Sequence, residues 1–275
     1  MKPNRPISLV RIVKLFLLLG LMAYLVLCGA MGFAQRSFLY FPQVFTPSET
    51  DSMAVEAGLV RWTNASGANI GFKRLSLQQP ATGIVLMMYG NGSTATGSAR
   101  YADAIQKAAA LDFYVLEYPG YEDRPGPPTE KKIFAAADDA LQMLPTNKPV
   151  YLIGESLGSG VASYLAGTHP DRIAGALLIS PFTSITDVAR HHYPILPVGL
   201  LLADKFPSED YLRNYHGKIG ITVDGKDIVV PEKFGLRLYN GYAGPKKLWQ
   251  FPDGTHCQIP DLEFWNQLVA FWQSP

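Results

Sequence analysis

The sequence predicts an α/β domain, a mostly parallel sheet covered by helices on both faces, preceded by one N-terminal transmembrane helix. Three observations carry this expectation. From Gly83 onward, short continuous apolar runs such as residues 84–89, 150–154 and 173–179 alternate with segments of helical periodicity. These strands are apolar at successive positions instead of every second one, which belongs to a sheet buried on both faces. Residues 15–34 hold no charged side chain, and about 20 residues rising ~1.5 Å each cross the hydrocarbon core of a bilayer.

The 275 residues are 48% hydrophobic with a formal net charge of +1. That is enough chain for one sizeable core or at most two small ones, and the charge balance gives no sign of a nucleic-acid partner. The two cysteines, Cys28 and Cys257, lie far apart, and Cys28 sits inside the apolar stretch. Neither a disulfide nor a metal site is expected from that spacing, and no cofactor is expected.

Lys2, Arg5, Arg11 and Lys14 precede the apolar stretch, and only Arg36 follows it closely. This asymmetry sets the N-terminus in the cytoplasm and sends the remaining chain to the exported side, periplasmic or lumenal. The expected division is a single-pass signal-anchor over residues 1–36 and one folded domain over residues 37–275. A cleaved signal peptide is the alternative, because Gly32-Phe33-Ala34 is an acceptable small-residue cleavage site. A lipoprotein reading at Cys28 is weaker, since the bulky Leu27 precedes it.

The elements then follow in order. Residues 36–63 mix aromatics, prolines and polar side chains and read as a linker into early strands. Runs at 59–62 and 70–77 flank Asn64-Ala65-Ser66-Gly67, a hairpin turn. Strands are expected at 84–89, 113–118, 150–154, 173–179, 219–223 and 247–251. Helices are expected at 98–111, 130–144, 157–168, 231–239 and 261–272.

Reactive groups in such a sheet collect at the carboxyl ends of strands. The run at 150–153 is followed by Gly154-Glu155-Ser156-Leu157-Gly158. A serine on so tight a strand-to-helix corner needs glycines beside it to relieve crowding, and its hydroxyl stands exposed. The Leu157 N–H points the same way, at the positive end of the following helix. Serine is a weak nucleophile without a base, and the base needs an acid to fix its tautomer. Of five histidines, His169 is too near the serine, while His191, His192 and His216 suit surface or lid roles. His256 lies in the glycine-containing loop before the last helix, where the base is expected. The acid should follow the strand at 219–223, and both Asp224 and Asp227 qualify. Asp227 is favoured because it can reach back across the turn toward the His256 loop, which leaves Asp224 as a turn-former or helix cap. Two N–H donors complete an oxyanion hole: Leu157 supplies one, and Asn91, or else Gly92, supplies the other from the loop after residues 84–89.

These residues resemble the α/β-hydrolase superfamily, and within it the serine hydrolases with an N-terminal membrane helix before one hydrolase domain. Arg36-Ser37-Phe38-Leu39-Tyr40-Phe41-Pro42 is similar to the segment after that anchor. Tyr89-Gly90-Asn91-Gly92 resembles the His-Gly-Asn oxyanion loop with Tyr89 in place of histidine. Glu117-Tyr118-Pro119-Gly120-Tyr121 resembles the Tyr-x-Gly-Tyr loop. Tyr193-Pro194-Ile195-Leu196-Pro197 and Asp204-Lys205-Phe206 are similar to the stretch after the strand at 176–179. Asp227, four residues before Pro231, fits the acid motif, although the glycine expected three residues earlier is Asp224.

The resemblance implies hydrolysis of an ester, thioester or amide through an acyl-enzyme, with Ser156, His256 and Asp227 as the triad and no cofactor. A membrane anchor combined with the apolar stretch 193–202, read as a lid or acyl contact, favours lipid or long-acyl esters. Packing of that stretch on the sheet edge is an equal alternative. A peptidase or amidase is a further reading, in which Glu155, Glu117 or Glu122 binds an amino group; those loop acids are otherwise expected in solvent. A non-catalytic, membrane-tethered interaction protein is the reading from outside enzymes.

Overall fold

The apolar runs assemble into one eight-stranded sheet in the computed structural model, which describes residues 9–274. The chain opens with helix α1, Leu9–Leu39, and helix α2, Pro47–Glu56. Strands β1, Val60–Thr63, and β2, Asn69–Arg74, form a hairpin. Then come β3 (Gly83–Met88), α3 (Ala99–Ala108), β4 (Leu111–Leu116), α4 (Glu130–Met143), β5 (Val150–Glu155) and α5 (Leu157–Thr168). The second half holds β6 (Ile173–Ile179), α6 (Ile185–His192), α7 (Val198–Leu201), α8 (Ser208–Leu212), β7 (Lys218–Asp224), α9 (Lys233–Gly241), β8 (Lys246–Phe251) and α10 (Leu262–Gln273).

The strand order is β1-β2-β4-β3-β5-β6-β7-β8, antiparallel from β1 to β4 and parallel from β4 to β8. Every residue of β3, β4 and β5 is buried. Alternation along β5 shows why. Tyr151 stacks on Trp272 of α10 at 4.7 Å, while Gly154, on the other face, lies against Gly158, Ser159 and Ala162 of α5. Helices α3 and α10 cover the first face, and α4, α5 and α8 gather on the second. The sequence reverses direction across the sheet between β4 and β5, on either side of β3. The crevice at the carboxyl ends of β3 and β5 is therefore where ligands bind in open α/β sheets.

The linker expected over 36–63 is corrected. Helix α1 continues to Leu39, and α2 follows it. Thr46-Pro47-Ser48-Glu49 is a capping box with proline at the first helical position: Thr46 Oγ1 accepts from Glu49 N–H, and the Glu49 carboxylate accepts from Thr46 N–H at 2.8 Å. That signal was legible and short. The helix expected over 98–111 ends at Ala108, and Leu111 already belongs to β4, because Leu111 pairs with Gly83 in the parallel ladder.

Among the described residues, α1 is one helix long and apolar enough to cross a membrane. Lys2 and Arg5, two of its flanking charges, lie outside the described residues. From Leu9 to Leu27 every residue is exposed. Beyond that, Cys28, Met31, Gly32, Gln35 and Leu39 are buried or half-buried, a three-to-four spacing that turns one face of the helix toward the domain.

Candidate active site

Ser156 sits between β5 and α5 with φ 50° and ψ −115°, a backbone region costly for any residue with a Cβ. The neighbours make the corner possible. A Cβ on Gly154 would come 2.5 Å from the Gly158 carbonyl oxygen, and one on Gly158 would collide with the Met88 and Tyr89 carbonyls of β3. The turn is held by Ser156 N–H donating to the Ile179 carbonyl at 2.9 Å and by Ser159 N–H and Oγ donating to the Ser156 carbonyl. Leu157 opens α5, so its N–H has no acceptor within the helix.

His256 Nε2 lies 2.9 Å from Ser156 Oγ, and His256 Nδ1 lies 2.6 Å from Asp227 Oδ2. The network assigns the proton to Nδ1, which donates to the carboxylate and leaves Nε2 to accept from the serine. Asp227 is fixed by its own turn, Oδ1 accepting from Val229 and Val230 N–H at 2.8 Å each. Ser156, His256 and Asp227 thus come from beyond the ends of β5, β8 and β7 and meet in one hydrogen-bonded line.

Asp224 has a different position. It is buried at the end of β7, and its Oδ2 accepts from Ser180 Oγ at 2.7 Å. Ser180 Oγ in turn accepts from Cys257 N–H at 3.0 Å. Asp224 therefore holds the loop that carries His256 without touching the imidazole. Burial raises its carboxyl above the usual carboxylate range.

Asn91 is anchored from three sides: its Nδ2 donates to the Leu39 carbonyl at 2.8 Å, and its carbonyl accepts from Tyr121 Oη at 2.8 Å and from Phe41 N–H at 3.3 Å. Asn91, Ser156 and Leu157 line the same cavity, about 370 Å³ in volume. Its walls are mainly apolar and include Phe182, Ile185, Val188, Leu196 and Val230. His192 also lines it and reaches the Val229 carbonyl at 2.9 Å. His191 meets Lys233, and His169 meets Asp138, both away from the serine. The stretch 193–202 contributes to the cavity wall through Tyr193, Leu196, Val198, Leu201 and Leu202.

The three acidic residues expected in solvent are instead buried: Glu117, Glu122 and Glu155 are 0%, 1% and 5% exposed. Glu155 accepts from the Tyr101 hydroxyl and pairs with Arg100 at 3.0 Å. Glu117 accepts from the Tyr89 hydroxyl and from Tyr118 N–H, beside the loop that carries Asn91. Tyr89 thereby fills the histidine's place in the motif with a fully buried hydroxyl. None of the three carboxyls lines the cavity.

Burial, reinforced by the Glu122 carboxyl, raises Glu117 well above its ordinary range. The folded protein keeps this proton while the unfolded chain loses it near pH ~4.3. The stability it contributes is complete below that pH and declines as pH rises toward the folded value, by about 1.4 kcal/mol per pH unit. Glu117→Gln, which keeps the shape without the ionisation, is expected to unfold at a higher temperature than wild type at pH 7.5. At pH 4 the gap should narrow. Thermal unfolding in detergent at the two pH values checks this, and a gap independent of pH refutes it.

The architecture is shared with known proteins. A sequence family described as the alpha/beta hydrolase fold matches residues 83–200. An uncharacterized protein of Mycobacterium tuberculosis is 32% identical over 229 residues, covering 81% of this chain and 80% of the relative. The lysophosphatidylserine lipase ABHD12 of Danio rerio is 29% identical over 218 residues, 70% of this chain, which spans about half (55%) of that lipase. Among solved structures, the Butyrivibrio proteoclasticus protein Est1E with bound ferulic acid superposes with a TM-score of 0.61 at 18% identity, covering 76% of this chain and 96% of Est1E. A monoacylglycerol lipase of Paleococcus ferrophilus gives 0.56 at 18% identity, covering 78% and 98%. With this family match and an eight-stranded, mostly parallel sheet, the chain belongs to the α/β-hydrolase superfamily.

Proposed function

We propose that the protein is a membrane-anchored serine hydrolase that cleaves a carboxylic ester or thioester of a lipid or other long-acyl substrate. The observation that carries this reading is the line from Ser156 Oγ through His256 to Asp227, at 2.9 and 2.6 Å, on the wall of a mainly apolar cavity. His256 Nε2 takes the serine proton as Oγ attacks the carbonyl carbon, and Asp227 stabilises the imidazolium that forms. The Leu157 and Asn91 N–H groups hold the oxyanion. Collapse of the tetrahedral intermediate breaks the bond to the leaving group, which receives the proton from His256. Water, deprotonated by the same imidazole, then releases the acid and restores Ser156.

Residues 1–36 are proposed as the anchor and 37–275 as the hydrolase domain, with the N-terminus cytoplasmic and the domain exported. The charge asymmetry around α1 supports this orientation. The lysophosphatidylserine lipase and monoacylglycerol lipase named among the similar proteins support a lipid ester. An amine-recognising peptidase is disfavoured, because the acidic residues available to bind an amino group are buried away from the cavity.

The full chain in detergent is expected to react with a fluorophosphonate probe and to hydrolyse p-nitrophenyl esters with an optimum above acetate. A folded protein that neither labels nor turns over any ester overturns the reading.

A further inference from the structure

Helix α1 does more than end beside the domain. Its C-terminal half is bonded to the segment between α6 and α8. Tyr24 Oη donates to the Ile195 carbonyl at 2.8 Å, and Gln35 clasps the segment from both sides, its Nε2 donating to the Leu201 carbonyl at 3.0 Å and its Oε1 accepting from Ala203 N–H at 2.6 Å. Arg36 closes the contact on Asp204 at 2.9 Å. Gly32 lies against Leu201, where a Cβ would sit in ordinary contact at 3.6 Å. Met31, Gln35 and Phe38 of α1 line the same cavity as Ser156.

The segment that α1 grips carries no charge from Tyr193 to Ala203. It presents Ile195 (74% exposed) and Leu200 (89%) outward, and α1 presents Phe33 (95%). With the apolar span ending at Ala34, Tyr24 lies ten residues inside it, about 15 Å of helix, or half of a ~30 Å hydrocarbon core. An uncharged segment bonded to α1 over that length goes where α1 goes. The occupant of its outward face is the bilayer, by continuity with the exposed apolar surface of the helix.

We propose that substrate reaches Ser156 sideways from the membrane, through a portal between α1 and residues 193–203, and that Met31 and Gln35 form part of the acyl-chain wall that sets chain-length preference. This inference rests on the hydrolase reading and narrows its substrate class to membrane-resident esters. An acyl chain taking this route stays among apolar groups, whereas passage through water would expose each methylene unfavourably. It also gives the helix a role that removal at Ala34 would abolish, since Met31 and Gly32 would leave with it.

The test uses the full chain in phosphatidylcholine vesicles, with p-nitrophenyl laurate in the bilayer and p-nitrophenyl acetate in the water. Met31→Trp, which narrows the wall, is expected to lower the laurate-to-acetate ratio of kcat/KM at least tenfold. Met31→Ala, which widens it, should shift the same ratio more than twofold, in the opposite direction to Met31→Trp. Ile195→Glu with Leu200→Glu, which places charge on the outward face, should lower the same ratio at least fivefold. Ratios within twofold of wild type in all variants overturn the portal while leaving the hydrolase reading intact. Absence of fluorophosphonate labelling and of turnover on both esters in wild type overturns the hydrolase reading and the portal with it.

Discussion

Ser156→Ala is expected to lower kcat on p-nitrophenyl esters by about a million-fold, to the level left by binding and the oxyanion donors, and to abolish fluorophosphonate labelling. Alanine keeps the Cβ and the backbone strain already present at φ 50°, so thermal unfolding should remain close to wild type. That separates lost chemistry from lost structure. His256→Ala should cost nearly as much, and the double variant little more than either alone, because the two groups act as a unit. Additive losses would mean that serine and histidine do not share one proton transfer.

Asp227→Asn is expected to lower kcat by about ten-thousand-fold. The amide cannot accept from Nδ1–H as the carboxylate does, and it stabilises the wrong imidazole tautomer. Asp224→Asn supplies the control. Its oxygen accepts from Ser180 Oγ, which accepts from Cys257 N–H, so it reaches His256 only through the loop backbone. Weakening one hydrogen bond of about 1 kcal/mol should lower kcat by roughly tenfold or less. A larger loss from Asp224→Asn than from Asp227→Asn would reverse the two assignments. The steady-state kinetics of both variants on one ester decide the matter.

Several parts of this protein are legible without coordinates, and the reasons are local. The elbow is written in five consecutive residues because a serine at φ 50° between a strand and a helix needs bare backbone on both sides, and Gly154 and Gly158 supply it. The parallel sheet is legible because strands covered on both faces are apolar at successive positions, so β3 reads Gly-Ile-Val-Leu-Met-Met. Asp227 differs from Asp224 in its place across the turn and in its spacing four residues before Pro231, and it is Asp227 that lies 2.6 Å from His256 Nδ1. The capping box of α2 occupies only four residues within a stretch of aromatics and prolines.

The sequence by itself determined the membrane-length helix, the succession of strands with the helices that cross between most of them, and the order serine, aspartate, histidine along the chain. Each depends on periodicity or on neighbours within a few residues. The tertiary structure alone decided the rest. Glu117 and Glu122 are buried because hydroxyls from Tyr89 and Thr96, 28 and 26 residues distant, meet them there. Gln35 pairs with the backbone at Leu201 and Ala203 across more than 160 residues. No local pattern encodes such contacts, since they arise only when the sheet's crossover connections bring the end of α1 against a segment inserted after β6. Hydrophobicity marked α1 as long and apolar enough to cross a membrane, but only packing made its last turns a wall of the cavity that holds Ser156.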